Sequence, residues 1–492
     1  MNANRVCVFA VALGFTVLCF GQVSPTKLAE TPRTLVGEVV EVLDTKDVSK
    51  IRRFVQTWLI PNSPVEQRVN RWKDLADNGA PFKIARDMSQ TADQITVIIV
   101  DRFGARIALT MHFESKPRLM ISGLQLAPAL KVEGSSPDLG KWSDYSALAK
   151  LVAAKSKSPG LGIAVIRNGE ASFGISGVRK LGGKEPIRVD DVWSIGSIGK
   201  SVCSSVIGHL IEQGKLSWNE PLSRALPGVK MDLTFGHITL DQIMHHRGGI
   251  APDLGFGAAD IKRIVGNAKT PTAIRNRYMA DILGRKPVIA AGDQFIYSNA
   301  GYALLSVIAE RAAGKAYETL VREVVFTPLG LKHSYIGIET LPKQRPSGHF
   351  DGQNGPVPGD MSGPMESMFA GAGGGIYMSV GDLAKYGNAH LKGLKGQNGF
   401  LKASTIAKLH RGFPEQLRGG RLYACGWGID TLPGVLPFHG HNGSNGTMRA
   451  QLAIFPGANL VVAAIVNRGG EDDPAPGMQA VMAVAERYAK AK

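Results

Sequence analysis

Cysteine is scarce in this chain. Four occur in 492 residues; Cys7 and Cys19 lie in an N-terminal apolar run, which leaves only Cys203 and Cys425. So few exclude a disulfide-stapled framework. A zinc module is not expected either, because His439-x-His441 has no third ligand cluster near it in sequence. Past residue 21 no stretch is long and apolar enough to span a bilayer, which takes about 20 such residues. Acidic residues are outnumbered, 41 against 57 basic, for a formal net charge of +16. Aromatics make up 7% and nowhere interleave with basic residues, which argues against a nucleic-acid binder. A basic surface can favour anionic cell wall or headgroups. The plainer reading is a solvated face of mixed charge.

Glycine is plentiful at 59 residues, against a usual share of about 7%. Tight turns and close backbone approaches are therefore expected. Residues 1–21 read as a signal peptide, with Arg5 as the positive start, Val6 to Phe20 as the apolar stretch, and a cut before Gln22. An uncleaved N-terminal anchor is the alternative. The expected location is periplasmic or secreted, with no membrane span in the mature chain. In an exported protein Cys203 and Cys425 could pair. Cys203, however, falls on the apolar face of a helix, where a small buried thiol is the simpler reading.

The chain is too long for one typical domain. Residues 22–127 read as a small α+β unit. Helical spacing covers Thr34–Leu43, Asp47–Leu59 and Glu66–Asp77; strand-like runs follow at Phe82–Asp87, Ile95–Arg102, Ala105–Phe113 and Arg118–Leu124. Helices followed by a strand meander loosely resemble cystatin-like or NTF2-like modules, a likeness of architecture that carries no catalytic residue. Residues 128–140, rich in Pro, Gly and Ser, read as a linker. Within 141–492, Tyr145–Ala154 is a predicted helix, and Leu161–Arg167 and Ala171–Val178 a hairpin across Asn168-Gly169. Thr447–Phe455 and Asn459–Asn467 form a second hairpin, and Met478–Ala489 closes the chain as a helix. An antiparallel sheet built from both ends of the segment, with a helical insert between, is expected.

Chemistry concentrates at Ser197-Ile198-Gly199-Lys200, where a loop becomes a helix. Residues three apart share a helix face, so the Lys200 amine can reach the Ser197 hydroxyl. A serine hydroxyl becomes a useful nucleophile once a neighbour takes its proton. The helix start adds unpaired N–H groups suited to a developing oxyanion. Val202, Val206, Ile207, Leu210 and Ile211 make this a buried helix, closed by Gly214. The bland reading of Ser197 is a helix N-cap, with Lys200 a solvated charge. Another S-x-x-K, Ser24-Pro25-Thr26-Lys27, sits in a polar setting that suggests nothing catalytic. Gly199-Lys200-Ser201 mimics the end of a phosphate-binding loop, but residue 194 is serine where that loop needs glycine.

Two further motifs follow, Tyr297-Ser298-Asn299 and His441-Asn442-Gly443. A second Tyr-x-Asn, Tyr386-Gly387-Asn388, carries a helix-start pattern at Ser379 and Asp382 and reads as structural. Serine–lysine, Tyr-x-Asn and a basic residue-x-Gly, in that order, resemble the serine β-lactamase and penicillin-binding-protein superfamily. The closest likeness is to its class C-like branch, with family VIII esterases and D-peptidases. The resemblance covers residues from about 140 to 492. Softer similarities lie at His245-His246, in a stretch that departs from the family as His246-Arg247-Gly248-Gly249, and in the turns Phe326–Leu331 and Ala370–Gly375.

The resemblance implies an α+β, β-lactamase/transpeptidase-like domain. It implies Ser197 as nucleophile, with Lys200 and Tyr297 as the proton-transfer pair. Asn299, His441, Gly443 and Ser444 would hold the substrate, the Ser444 and Ser197 N–H groups forming the oxyanion hole. His441 departs from the more usual lysine and puts a fixed cation for a substrate carboxylate in doubt. No metal or organic cofactor is implied, and the partner is a small-molecule or peptide substrate. Ester, D-peptide and β-lactam bonds all suit such chemistry. A non-hydrolytic relative that binds cell-wall peptide or assembles with partners is the reading from another class.

Overall fold

A computed structural model of this chain describes residues 31–60, 64–90, 93–100, 106–114, 119–128, 139, 141–251, 258–287, 291, 295–352, 355–413, 422–432, 434–470 and 475–490. The expected signal peptide, and all of the expected linker but Pro128 and Leu139, lie outside them. Helices Pro32–Thr45, Val48–Trp58 and Val65–Gly79 precede four strands, Lys83–Gln90, Gln94–Val100, Arg106–Glu114 and Met120–Pro128. These pair in chain order as an antiparallel sheet. Leu35, Val39, Ile51, Val55, Val97 and Leu109 belong to one buried cluster whose members all lie between Leu35 and Ile121. The helix-then-meander order matches the sequence reading to within a few residues at each end.

The rest is organised on a seven-stranded sheet. Across it run Leu422–Tyr423, Gly428–Leu432, Val435–Ser444, Arg449–Phe455, Leu460–Val466, Gly160–Arg167 and Glu170–Gly177, every neighbour antiparallel. Val466 stands opposite Leu161 and Leu460 opposite Arg167, so the two ends of the segment meet within the sheet. The first hairpin turns on Asn168 and Gly169, with φ of +52° and +88°. Positive φ at both central residues is what this type of two-residue hairpin demands, hence Asn-Gly.

Side chains alternate across this sheet. Leu460, Val462, Ala464 and Val466 pack with helices Tyr145–Lys155 and Pro476–Tyr488 in one cluster. Val461, Ala463 and Ile465 join the larger cluster on the other face, which includes Val202, Val206 and Ile207 of helix Gly199–Glu212. That helix is buried almost all round, so it is held by packing on every side. Each large apolar side chain buried there is worth about 1.5–3 kcal/mol. No helix among the described residues is long and apolar enough to cross a membrane. Cys203 and Cys425 are both buried free thiols, and burial pushes Cys203 up to about 12.

Candidate active site

Ser197 stands in the short 3-10 turn Gly196–Ile198, directly before helix Gly199–Glu212. Three glycines let backbone segments close on this turn. A Cβ on Gly443 would lie 1.9 Å from Ile195 O and 2.9 Å from Ser197 N. One on Gly196, whose φ is +49°, would lie 2.4 Å from Ser444 N. One on Gly373 would lie 1.8 Å from Gly196 O. The strand Val435–Ser444 and the turn at Gly373 are thus pressed onto the Ser197 turn from two sides, a proximity any side chain would abolish.

Lys200 is fully buried. Its Nζ donates to Ser197 Oγ at 3.0 Å, to Asn299 Oδ1 at 2.6 Å and to Ala372 O at 3.2 Å. An ammonium has three donors and no acceptor, and each donor here has an oxygen to meet. The same nitrogen lies 4.7 Å from the centre of the Tyr297 ring and 5.8 Å from that of Tyr302. The serine–lysine and Tyr-x-Asn motifs, far apart in sequence, therefore meet at one lysine side chain.

The middle residue of Tyr297-Ser298-Asn299 explains the placement of its neighbours. Ser298 caps helix Asn299–Ala313: its Oγ accepts from Gly301 N at 2.9 Å and donates to Ala251 O at 2.6 Å. Ser298 N donates to His246 Nδ1 at 3.0 Å, and Ile296 N to His246 O at 2.8 Å. His246 has φ +57°, and its ring lies 4.4 Å from that of Tyr297 and 4.8 Å from that of Tyr423. Because Nδ1 accepts, the neutral ring carries its proton on Nε2. Burial first, then the Lys200 charge, hold His246 well below the ordinary histidine range. In the sequence His246 marks only a departure from a familiar stretch. Its hold on the tyrosine loop becomes visible once the two segments, 52 residues apart, are side by side.

His441, expected against the substrate, is buried and, like Lys200, Tyr297 and Gly443, is not in the lining of the cavity beside Ser197. Its Nδ1 meets Asn442 O at 2.6 Å, and its Nε2 meets Tyr423 OH at 2.9 Å. A carbonyl only accepts, so Nδ1 carries hydrogen, and Nε2 shares a hydrogen bond with the tyrosine hydroxyl. These two bonds turn the side chain inward. The Tyr423 bond ties strand Val435–Ser444 to strand Leu422–Tyr423.

The cavity itself has a volume of about 280 Å³. Ser197, Asn299 and Ser444 line it, with Gly196 and Gly373; Lys200, Tyr297, His441 and Gly443 are not in its lining. The outer wall comes from the segment 361–374, with Met361, Met365, Glu366 and Phe369. Glu366 carries no signal in the sequence. It is buried, accepts from Tyr377 OH at 3.1 Å, and burial raises it to about 7.

Tyr386, in the other Tyr-x-Asn, is buried in helix Val380–Leu394 and donates to Ser201 Oγ at 3.0 Å, a packing role. Ser379 caps that helix through Asp382 N; the Asp382 carboxylate takes His333 N and Ser334 Oγ. Asp241, His245 and Cys425 form the one group among the described residues with metal-like spacing, their ligand atoms within 4.8 Å. Both His245 nitrogens already face carbonyls, Asp241 O at 2.8 Å and Arg411 O at 3.0 Å. Each therefore carries hydrogen, and neither has a lone pair for a metal.

A family model described as beta-lactamase matches residues 148–486. The chain is similar to a beta-lactamase of Pseudomonas fluorescens, 28% identical over 279 residues that cover 56% of this chain and 70% of that one. It is 27% identical to penicillin-binding protein 4 of Amycolatopsis lactamdurans over 327 residues, covering 63% of this chain and 81% of that protein. Among solved structures, the octameric penicillin-binding protein homologue from Pyrococcus abyssi superposes with a TM-score of 0.57 at 27% identity, covering 68% of this chain and 75% of that one. Matched over more than half its length, the chain belongs to the beta-lactamase family, and the enzyme class it joins is that of the serine hydrolases.

Proposed function

We propose that this protein is an exported hydrolase that forms an acyl-enzyme on Ser197 and cleaves an ester or small amide bond. The observation that carries the reading is Lys200 Nζ, 3.0 Å from Ser197 Oγ and 2.6 Å from Asn299 Oδ1 while over the Tyr297 ring. With its donors engaged, Lys200 is suited to hold positive charge, which favours the Tyr297 phenolate as the base. Ser197 attacks the carbonyl carbon, and its proton passes to Tyr297. The Ser197 and Ser444 N–H groups hold the oxyanion, each worth about 3–4 kcal/mol of barrier. Tyr297 returns the proton to the leaving group. Water, activated by the same tyrosine, then releases the acid. Export rests on the pattern of residues 1–21.

The inward-turned His441 supports esters and small amides over substrates whose carboxylate needs a fixed cation. A turnover screen over p-nitrophenyl esters, small amides, D-peptides and β-lactams tests this. Esters and small amides should exceed β-lactams by at least about a hundredfold in kcat/KM, the scale of one lost oriented contact. A β-lactam as best substrate would refute the substrate choice. A Ser197 that no activated substrate labels would refute the mechanism and favour the non-hydrolytic reading.

A further inference from the structure

We propose that Glu366 is the residue that sets substrate choice in this site, and that the portion of substrate held in the cavity carries a primary ammonium group. The inference rests on the hydrolase reading above. Among the described residues lining the cavity, Glu366 alone has an ionisable carboxylate, and none is a cation. Its companions on that wall, Met361, Met365 and Phe369, are apolar. A lone carboxylate in such a wall is a strong selector, since an ion taken from water needs an opposite charge or a set of hydrogen bonds in return.

The surroundings of Glu366 support a carboxylate that an incoming cation would complete. Tyr377 OH lies 3.1 Å from one carboxylate oxygen and 3.3 Å from the other, so one neutral hydroxyl is shared between them. The nearby backbone of Gly375 and Gly363 lends the charged form some neutral, dipolar support. Asp360 adds a second negative charge nearby, itself paired with Arg345 at 3.2 Å. Burial raises Glu366 to about 7. An arriving ammonium would draw it to the charged form, as an opposite charge does at short range. The segment that carries it also ends in Ala372, whose carbonyl accepts from Lys200. One strip of chain thus touches both the proton-transfer group and the selecting carboxylate.

The competing role for Glu366 is to tie the segment 364–372 to Tyr377, and the experiment separates the two. The p-nitroanilides of D- and L-alanine are compared with their N-acetyl counterparts, in the full chain and in Glu366→Gln, Glu366→Asp and Tyr377→Phe. Active sites are counted by acylation of Ser197 with p-nitrophenyl acetate, so misfolded material does not enter the rates. The parent should prefer the free amine in kcat/KM by at least tenfold. Glu366→Gln should cut that preference at least tenfold, mainly through KM; Glu366→Asp should keep part of it. Tyr377→Phe should keep the preference. A preference unchanged within threefold in Glu366→Gln, or lost equally in Tyr377→Phe, overturns the proposal. If the parent is acylated by p-nitrophenyl acetate but shows no preference for the amine, this proposal falls while the hydrolase reading stands. If Ser197 is not acylated at all, both fall.

Discussion

Lys200 Nζ lies 4.7 Å from the centre of the Tyr297 ring, and in the proposed mechanism the two act as one unit, the lysine charge favouring the phenolate. Lys200→Ala and Tyr297→Phe should therefore each lower kcat/KM by on the order of 10²–10⁴. The double variant should be little worse than the poorer single, as for other groups that act together. Multiplicative losses in steady-state kinetics would assign the two to separate steps. At this scale the sequence is a good guide where spacing is local. Ser197 and Lys200 are one helical turn apart, so their contact follows from the helix alone. The direction of the His441 ring is not legible in its motif, because it depends on Tyr423, a residue from another strand. Glu366 carries no motif, and its place at the cavity arises from packing among Met361, Tyr377 and the turn at Gly373.

Elements meet behind the site in a stack of neutral histidines. His390 of helix Val380–Leu394 bonds His410 at 2.9 Å; the His410 ring lies 4.4 Å from Trp427 and 4.9 Å from His439 of strand Val435–Ser444. Burial holds His390 down to about 3, His439 to about 4 and His410 well below the ordinary range. Their folded values lie below the unfolded value of about 6.5, so the unfolded chain binds more protons between the two. The stability they contribute is present above about pH 6.5 and is lost as pH falls through about 4 to 3. Glu366, raised to about 7, works the other way: its contribution is present below its unfolded value and lost as pH rises through 7. Three histidines outweigh one carboxyl, so the melting temperature should fall from about pH 6.5 to about pH 4. A flat or rising profile would mean that the stack is hydrated or charged. Elements themselves are legible: both hairpins, the closing helix and the buried serine helix follow from apolar period and Asn-Gly or Gly signals. The histidine stack is not, since its members come from elements far apart in sequence.

Among the described residues the core falls into three buried clusters, one between Leu35 and Ile121 and two on opposite faces of the seven-stranded sheet. The buried residues between Leu35 and Ile121 cluster among themselves, while both ends of the later segment close one sheet at the Val466–Leu161 pairing. A chain beginning near Lys141 should fold and keep its turnover of a small activated ester. Melting and turnover beside the full chain measure this, and an insoluble or inactive product would place the earlier residues in the catalytic core. The order of elements is readable at both ends of the catalytic segment, whereas the short strands of the insert, such as Val192–Ser194 and Ile376–Ser379, carry no sequence pattern of their own, and the linker reading rests on composition alone. The central claim, an acyl-enzyme on Ser197, is tested most directly by intact and peptide mass spectrometry after rapid quenching with an activated ester. One acyl group per chain should appear, confined to the peptide that contains Ser197, and Ser197→Ala should show neither adduct nor turnover. Turnover by Ser197→Ala within threefold of the parent, or an acyl group on any other residue, would contradict it.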